Sequence, residues 1–242
     1  MNINRLTRGL LQGILLLASG ATLSALPILT IDSHNLPYDS GGQFTARLDN
    51  GAPFHVYCVD FNNFAFVNQS FEVNVSTVND LSATRYGTTA TSAFSYQTAP
   101  NGSSIGSALN RYLMAAWLIT QYDLNPNAVG SDRNVGIQDA IWNLLDATGQ
   151  QHMHGDWATW MNSAVANLPA AQSLASQIRI YTTASVGATA GSTRYSLGNQ
   201  EMIGFVTADS PVPEPRSAAL LLIGGAMIGA GVWRKRRLNS MR

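Results

Sequence analysis

The fold is decided by residues 54–60, which read Phe-His-Val-Tyr-Cys-Val-Asp. A second β-type run precedes them at 43–49, and the turn-forming residues 49–53 (Asp-Asn-Gly-Ala-Pro) separate the two, which predicts a pair of strands. Cys58 falls late in the second strand and is the only cysteine among the 242 residues. Because it has no partner for an intramolecular disulfide, this thiol needs an explanation.

Before and after this pair of strands, the sequence contains further strand patterns and several helix patterns. Further strands are predicted at 70–78, 93–97, 178–183 and 202–207. Helices are predicted over 109–122, from a cap at Asn134, and from about Asp156. Strands on both sides of a helical run indicate an α+β domain. We expect an antiparallel β-sandwich or barrel-like body with a helical insertion at about residues 107–177.

The N-terminal residues have the pattern of a secretory signal peptide. Arg5 and Arg8 are followed by the apolar run 10–17, and small residues follow up to Ala25. This order of charge, short apolar core and small residues is typical of a segment removed on export. We therefore assign residues 1–25 to a signal peptide.

The C-terminal residues have the pattern of a second targeting signal. An apolar run at 217–233 is long enough to span a bilayer as a helix. Before it stand Pro213, Glu214 and Pro215, and after it Arg234, Lys235, Arg236 and Arg237, which should stay on the cytoplasmic side. Residues 211–242 thus resemble a PEP-CTERM sorting signal. The alternative is a plain C-terminal membrane anchor.

The sorting resemblance implies a location and a partner. It implies recognition by an exosortase in a Gram-negative bacterium. We expect an inner-membrane intermediate held by the C-terminal transmembrane helix. The protein would then pass to the cell surface or to the secreted extracellular matrix of a biofilm.

One domain, residues 26–210, is predicted between the signal peptide and the sorting signal. Its charge limits the partners that it can bind. It contains six arginines against thirteen acidic residues, a net charge of −7. This balance argues against nucleic acid as a partner, because no basic stripe is present to meet phosphates. The domain also lacks lysine, since Lys235 is the only lysine of the chain. A bias toward arginine nearly accounts for that absence.

Four fates are open to Cys58. It can be an inert buried thiol, pair with another chain, act as a catalytic nucleophile, or be masked as a thioester. A metal site at His152, His154 and Asp156 lacks a fourth ligand in the sequence, so a polar loop is the favoured interpretation. No metal and no cofactor are predicted.

A glutamine on a predicted helix favours the thioester. Residues 136–142 read Gly-Ile-Gln-Asp-Ala-Ile-Trp, which puts Gln138 in a first helical turn and Trp142 on the same face. A thiol that attacks the Gln138 amide releases ammonia and leaves a thioester, which must be shielded from water. Tyr57 and Trp142 are the candidate shields, and the helix N-terminus would favour the thiolate.

Two acids stand beside the proposed pair. Asp60 follows Cys58 by two residues, and Asp139 follows Gln138 directly. They are candidates for support of the site, or else ordinary acids of a turn and of a first helical turn.

At these residues the chain resembles the thioester domains of bacterial surface adhesins. The matching elements are Tyr57-Cys58, the segment 138–142 and the intervening 115–119, within a resemblance that spans about 43–207. It implies a β-rich body, a helical subdomain and a Cys58–Gln138 thioester that captures an amine on a target surface. Ile137 occupies the position at which that family has threonine.

The leading hypothesis is a surface or matrix protein that captures amines covalently, through an isopeptide-like cross-link to a protein lysine or an amino sugar. Such a protein reacts once and is not an enzyme in the usual sense. The alternative is a non-covalent structural or binding protein of the exopolysaccharide matrix with an inert Cys58. A cysteine hydrolase is a third hypothesis, which requires a histidine base near Cys58.

Overall fold

The computed structural model describes residues 25–38, 41–61, 63–124, 132–149, 152–183, 196–197 and 200–206. The predicted signal peptide, except for Ala25, and the predicted sorting tail with its Pro213–Pro215 and 234–237 motifs lie outside the described residues. Of the helices in these ranges, none combines the length and the apolar character that a bilayer crossing requires.

Strands dominate both ends of the described chain. They are β1 (Ile28–Tyr38), β2 (Gly41–Leu48), β3 (Phe54–Cys58), β4 (Asn63–Phe64), β5 (Ser70–Ser76), β6 (Ile178–Thr183), β7 (Ser196–Leu197) and β8 (Met202–Phe205). Within the described ranges, six of them close into an antiparallel barrel in the order β1-β2-β3-β8-β6-β5. The two-residue strands β4 and β7 pair with each other in parallel. The predicted antiparallel, barrel-like body is confirmed.

The helices lie between β5 and β6 along the chain. They are α1 (Ala108–Ile119), α2 (Asp132–Leu145), α3 (Trp157–Ala166) and α4 (Leu168–Gln172). The α+β class and the helical insertion at about 107–177 are therefore confirmed. The short α4 begins just before Pro169, whose fixed φ suits the first turn of a helix.

Two strand predictions were wrong. Residues 93–97 do not form a strand: a short 3₁₀ turn occupies Thr91–Ala93, and the Ser95 N–H donates to the Asp146 carbonyl just beyond α2. Conversely, β1 was not predicted, because residues 32–35 are polar and turn-forming. Barrel closure gives β1 pairing partners on both sides, and two irregularities in its register absorb the poor fit.

Alternation along β3 sends neighbouring side chains to opposite faces. Val56 and Cys58 point into the barrel, where they pack in one apolar cluster with Phe44 and Met202. Tyr57 belongs instead to the cluster that the helices share with the outer face of the barrel. The lone cysteine is thus fully buried at the end of a strand, and its neighbour faces the helices.

Helix α2 covers the barrel near the end of β3. Trp142 projects from α2 into the same apolar cluster as Cys58, and α2 contacts β1 and β2. Only 5% of Trp142 is exposed. The helical insertion therefore reaches the barrel interior through this side chain.

Asp60 lies in a buried ion pair two residues beyond β3. Its Oδ2 is 2.8 Å from Nε of Arg85, and its Oδ1 accepts a hydrogen bond from the Tyr86 hydroxyl at 3.2 Å. Asp60 is 0% exposed and Arg85 5% exposed. The interpretation of Asp60 as an ordinary turn acid was therefore wrong, because such an acid would be solvated.

Glu201 forms the other half of this buried polar network. Its carboxylate accepts hydrogen bonds from the Tyr112 hydroxyl at 2.5 Å, the Thr182 hydroxyl at 2.5 Å and the Arg85 main-chain N–H at 2.6 Å. These donors come from α1, from β6 and from the long connection after β5. The network therefore ties three parts of the chain to the start of β8.

We expect Arg85→Ala to lower the free energy of unfolding by about 3–5 kcal/mol, because it leaves the Asp60 carboxylate buried without its cation. The matched control is Arg47→Ala, which removes an ion pair to Asp32 from a side chain that is 49% exposed. That change should cost at most about 1 kcal/mol. Chemical denaturation of both variants measures the difference, and equal losses would contradict a buried role for Arg85.

Candidate functional site

The two residues proposed to bond lie together. Nε2 of Gln138 on α2 donates a hydrogen bond of 2.9 Å to the main-chain carbonyl oxygen of Cys58, across 80 residues of sequence. Gln138 is 2% exposed and Cys58 0% exposed. The structure thus places the amide of Gln138 directly against the residue that carries the thiol, in a site closed to bulk water.

Tyr122 fixes the other end of this amide. Its hydroxyl donates a hydrogen bond of 2.7 Å to Oε1 of Gln138. Because the Cys58 carbonyl can only accept a hydrogen bond, the amide nitrogen must face it and Oε1 must face Tyr122. The Gln138 amide is therefore held in one orientation, with its carbonyl polarised by a hydroxyl.

The position of Gln138 along its helix differs from the prediction. Helix α2 begins at Asp132, so Gln138 is its seventh residue and lies in the second turn, and Asn134 is not the cap. The Asn134 side chain instead bonds both the N–H and the carbonyl of Asp123, each at 2.9 Å. Because the dipole effect falls off within the first turn, the helix N-terminus contributes little at Gln138.

The expected thiolate at Cys58 is also not favoured. Burial raises the pKa of the Cys58 thiol to about 12, although hydrogen bonds from the Gly42 main chain and the Gln200 side chain lower it. The nearby negative charge of Asp60 raises it further. At neutral pH the thiol is therefore protonated in the unreacted protein.

Aromatic rings pack near Cys58 and Gln138 on two sides. Tyr57 packs on Tyr122, with ring centroids 4.9 Å apart, on the helix side of the barrel wall. Trp142 packs on Phe61, also at 4.9 Å, and belongs to the cluster inside the barrel. The two predicted shields thus lie on opposite faces of β3, and Tyr122 and Phe61 complete them.

Asp139 does not touch the amide of its neighbour in the contacts described. Its Oδ2 accepts hydrogen bonds from the His154 main-chain N–H at 2.6 Å and from His154 Nδ1 at 3.0 Å. Burial raises the pKa of Asp139, and these bonds to His154 lower it. As the eighth residue of α2, it is not a first-turn acid, and it anchors the segment around His154 to the helix.

His152 is buried, with 5% of its surface exposed, whereas its neighbour Met153 is 52% exposed. The His152 ring contacts those of Phe61 and Trp142, with centroids 4.0 and 5.2 Å away. His154 is 65% exposed by side chain, so the two histidines face different surroundings. Among the residues described, no group of three or more His, Cys, Asp or Glu side chains is placed to hold a metal ion.

The base required by a cysteine hydrolase is not found beside the thiol in the described ranges. Strand alternation leaves His55 exposed on the outer face of β3, opposite Cys58, as predicted. His34 packs edge-on against Phe44 at 6.2 Å. None of the described hydrogen bonds joins a histidine to Cys58, and no histidine is among the groups that shift the pKa of its thiol.

Sequence reasoning missed three residues of the site. Tyr122 was predicted only as the last residue of the helix over 109–122. Gly42 and Gln200 carried no motif, although Gln200 and Glu201 are two polar residues directly before an apolar strand. This polar pair before a strand is the one sequence feature that could have indicated the site. The other contacts of these residues form only in the folded chain.

Comparison with known proteins gives one likeness. No protein-family model matches the sequence, and no curated protein matches it. Among solved structures, the N-terminal thioester domain of fibronectin-binding protein SfbI from Streptococcus pyogenes matches with a TM-score of 0.38 and 12% identity. The match covers 77% of this chain and 97% of that one. At this level the likeness assigns no role to any residue here.

The environment of His152 predicts a pH effect on stability. Burial lowers the pKa of His152 to about 4. The unfolded chain therefore binds a proton between about pH 6.5 and about pH 4 that the folded protein does not, and stability falls as the pH falls. Relative to His152→Gln, the wild type should lose about 2 kcal/mol of unfolding free energy across this range, after allowance for solvent screening. Denaturation curves at several pH values test this, and a constant difference would contradict it.

Proposed function

We propose that this protein captures amines covalently through an internal thioester between Cys58 and Gln138. The observation that carries the proposal is the hydrogen bond from the Gln138 amide to Cys58. The two residues were paired from sequence alone, as the lone cysteine and a glutamine 80 positions away, and the fold holds them in contact. A buried amide that two hydrogen bonds hold against the cysteine residue supports a reaction between the two side chains.

The bond forms by substitution at the amide carbon. Sγ of Cys58 attacks Cδ of Gln138, and the C–N bond breaks as the C–S bond forms. The nitrogen leaves as ammonia, taking the proton that the thiol loses, so that no oxidant or cofactor is required. The Cys58 carbonyl holds the leaving nitrogen, and Tyr122 holds the oxygen on which negative charge develops.

Capture is the second substitution at the same carbon. A neutral primary amine attacks Cδ of Gln138, an amide bond forms, and the C–S bond breaks. The proton released by the amine returns to the sulfur. Cys58 ends as a free thiol, and the target ends joined to the protein by an isopeptide-like bond. The protein reacts once, so it is not an enzyme that turns over.

The proposed location of the protein follows from its predicted signal peptide and sorting tail. The signal peptide would export the domain, and an exosortase would recognise the tail after its helix has held the chain in the inner membrane. The mature protein would then present its thioester at the cell surface or in the extracellular matrix. Protein lysines and amino sugars are the amine classes available there.

Intact mass spectrometry tests the thioester directly. The exported protein should be lighter than its sequence by one ammonia, and Cys58 should resist alkylation until methylamine is added. Because residues 26–210 contain no lysine, a lysine–glutamine isopeptide within the domain cannot give the same loss. Cys58→Ala and Gln138→Ala should each show the full mass. A full-length wild-type mass with a freely alkylated Cys58 would rule out the proposal.

A lysine placed beside the site should consume the thioester. Met153 is 52% exposed and lies between His152, which touches Trp142, and His154, which binds Asp139. Met153→Lys should keep the ammonia-mass loss, yet expose Cys58 to alkylation and abolish methylamine addition, because the new amine takes the acyl group. Met153→Arg is the matched control, with equal charge and no reactive amine, and should keep the thioester. If both variants add methylamine like the wild type, the absence of lysine reflects arginine bias alone.

A further inference from the structure

We infer that Tyr122 is a catalytic residue of this site, whose hydroxyl stabilises the oxyanion that develops on Oε1 of Gln138. The inference rests on the proposed thioester and assigns a residue that the sequence patterns did not mark. It applies to both substitutions, because the thiol and the amine attack the same carbon. Each attack places negative charge on the same oxygen, which Tyr122 already contacts.

The geometry places the donor on the reacting group itself. The Tyr122 hydroxyl lies 2.7 Å from Oε1, within the range for a donor that meets a developing oxyanion. In the described parts of the chain no second donor to Oε1 is found. The opposite end of the amide is engaged by the Cys58 carbonyl, so the group cannot turn away from Tyr122.

The surroundings keep this hydroxyl protonated and in place. Burial raises the pKa of Tyr122 well above its usual range, and the neighbouring Cys58, Tyr57 and Asp139 add to the shift. The ring is 8% exposed and is packed against Tyr57. A fixed donor in a site that excludes water stabilises charge more strongly than a solvated one, because it needs no reorganisation during the reaction.

The residue before Gln138 offers no alternative hydroxyl. Ile137 is fully buried and packs in the apolar core that α1 and α2 share. Tyr122, three residues beyond the end of α1, therefore supplies the hydroxyl from the neighbouring helical segment. The hydroxyl donates a hydrogen bond and keeps its proton, so the atom balance of both substitutions is unchanged.

The test compares methylamine capture by the wild-type protein, Tyr122→Phe and Tyr96→Phe, followed by intact mass. Tyr122→Phe removes only the hydroxyl and keeps the ring against Tyr57. Capture by this variant should slow by about 100-fold or more, the usual effect of losing one oxyanion donor. Tyr96→Phe is the matched control, because the Tyr96 ring packs on Trp157 and its hydroxyl forms none of the described hydrogen bonds. It should react like the wild type.

The outcomes separate the two proposals. A folded Tyr122→Phe that carries no thioester, or captures slowly, supports the assignment. Capture at the wild-type rate overturns it and leaves the thioester standing. A wild-type protein without the ammonia loss overturns both.

A second measurement does not depend on whether the variant folds. The infrared carbonyl band of the wild-type thioester should lie below that of an alkyl thioester free of hydrogen bonds, because a donor on the oxygen weakens the C=O bond. An unshifted band would overturn the role of Tyr122.

Discussion

The buried carboxylates of Asp60 and Glu201 impose the constraint on which the rest of the structure depends. Both are fully buried, and a carboxylate out of water must be met by donors or cations. Arg85 meets both, through its side chain at Asp60 and its main chain at Glu201. Tyr112 brings α1 to the same point. These buried hydrogen bonds and the ion pair thus fix the position of the helical insertion on the barrel.

The alignment of Cys58 with Gln138 depends on these polar contacts between the helical insertion and the barrel. Tyr112 lies in the middle of α1, and the chain leaving this helix carries Tyr122 to the Gln138 amide. Helix α2 packs on α1 and on the barrel, and it brings Gln138 to Cys58 from the other side. The site therefore lies where a strand end, a helix and the segment between two helices meet. No one of these elements contains it.

This origin explains how much of the protein could be predicted from its sequence. Alternation along 54–60 and 70–78 and the helical stripes are local patterns, and they predicted the barrel-like body, the insertion and the buried side of β3. The strand β1 has a polar local sequence, and only barrel closure makes it a strand. Asp60 looked like a turn acid because Arg85 lies 25 residues further along. Tyr122 looked like a core residue because its hydroxyl has a role only once α2 has folded against α1.

The burial that protects the proposed bond also governs its breaking. A thiol with a pKa of about 12 is a poorer leaving group than a solvated cysteine, because its thiolate is less stable in the barrel interior. Breaking the C–S bond therefore requires a proton or hydrogen bonds at the sulfur as it departs. Hydrogen bonding from Gly42 and Gln200 already lowers the pKa of this thiol, although burial outweighs it. Such a site would resist water, which is a weak nucleophile, yet still yield to an amine brought into contact with Cδ. The barrel interior would thus set how long the bond persists, and the donors around the amide would set how fast it reacts.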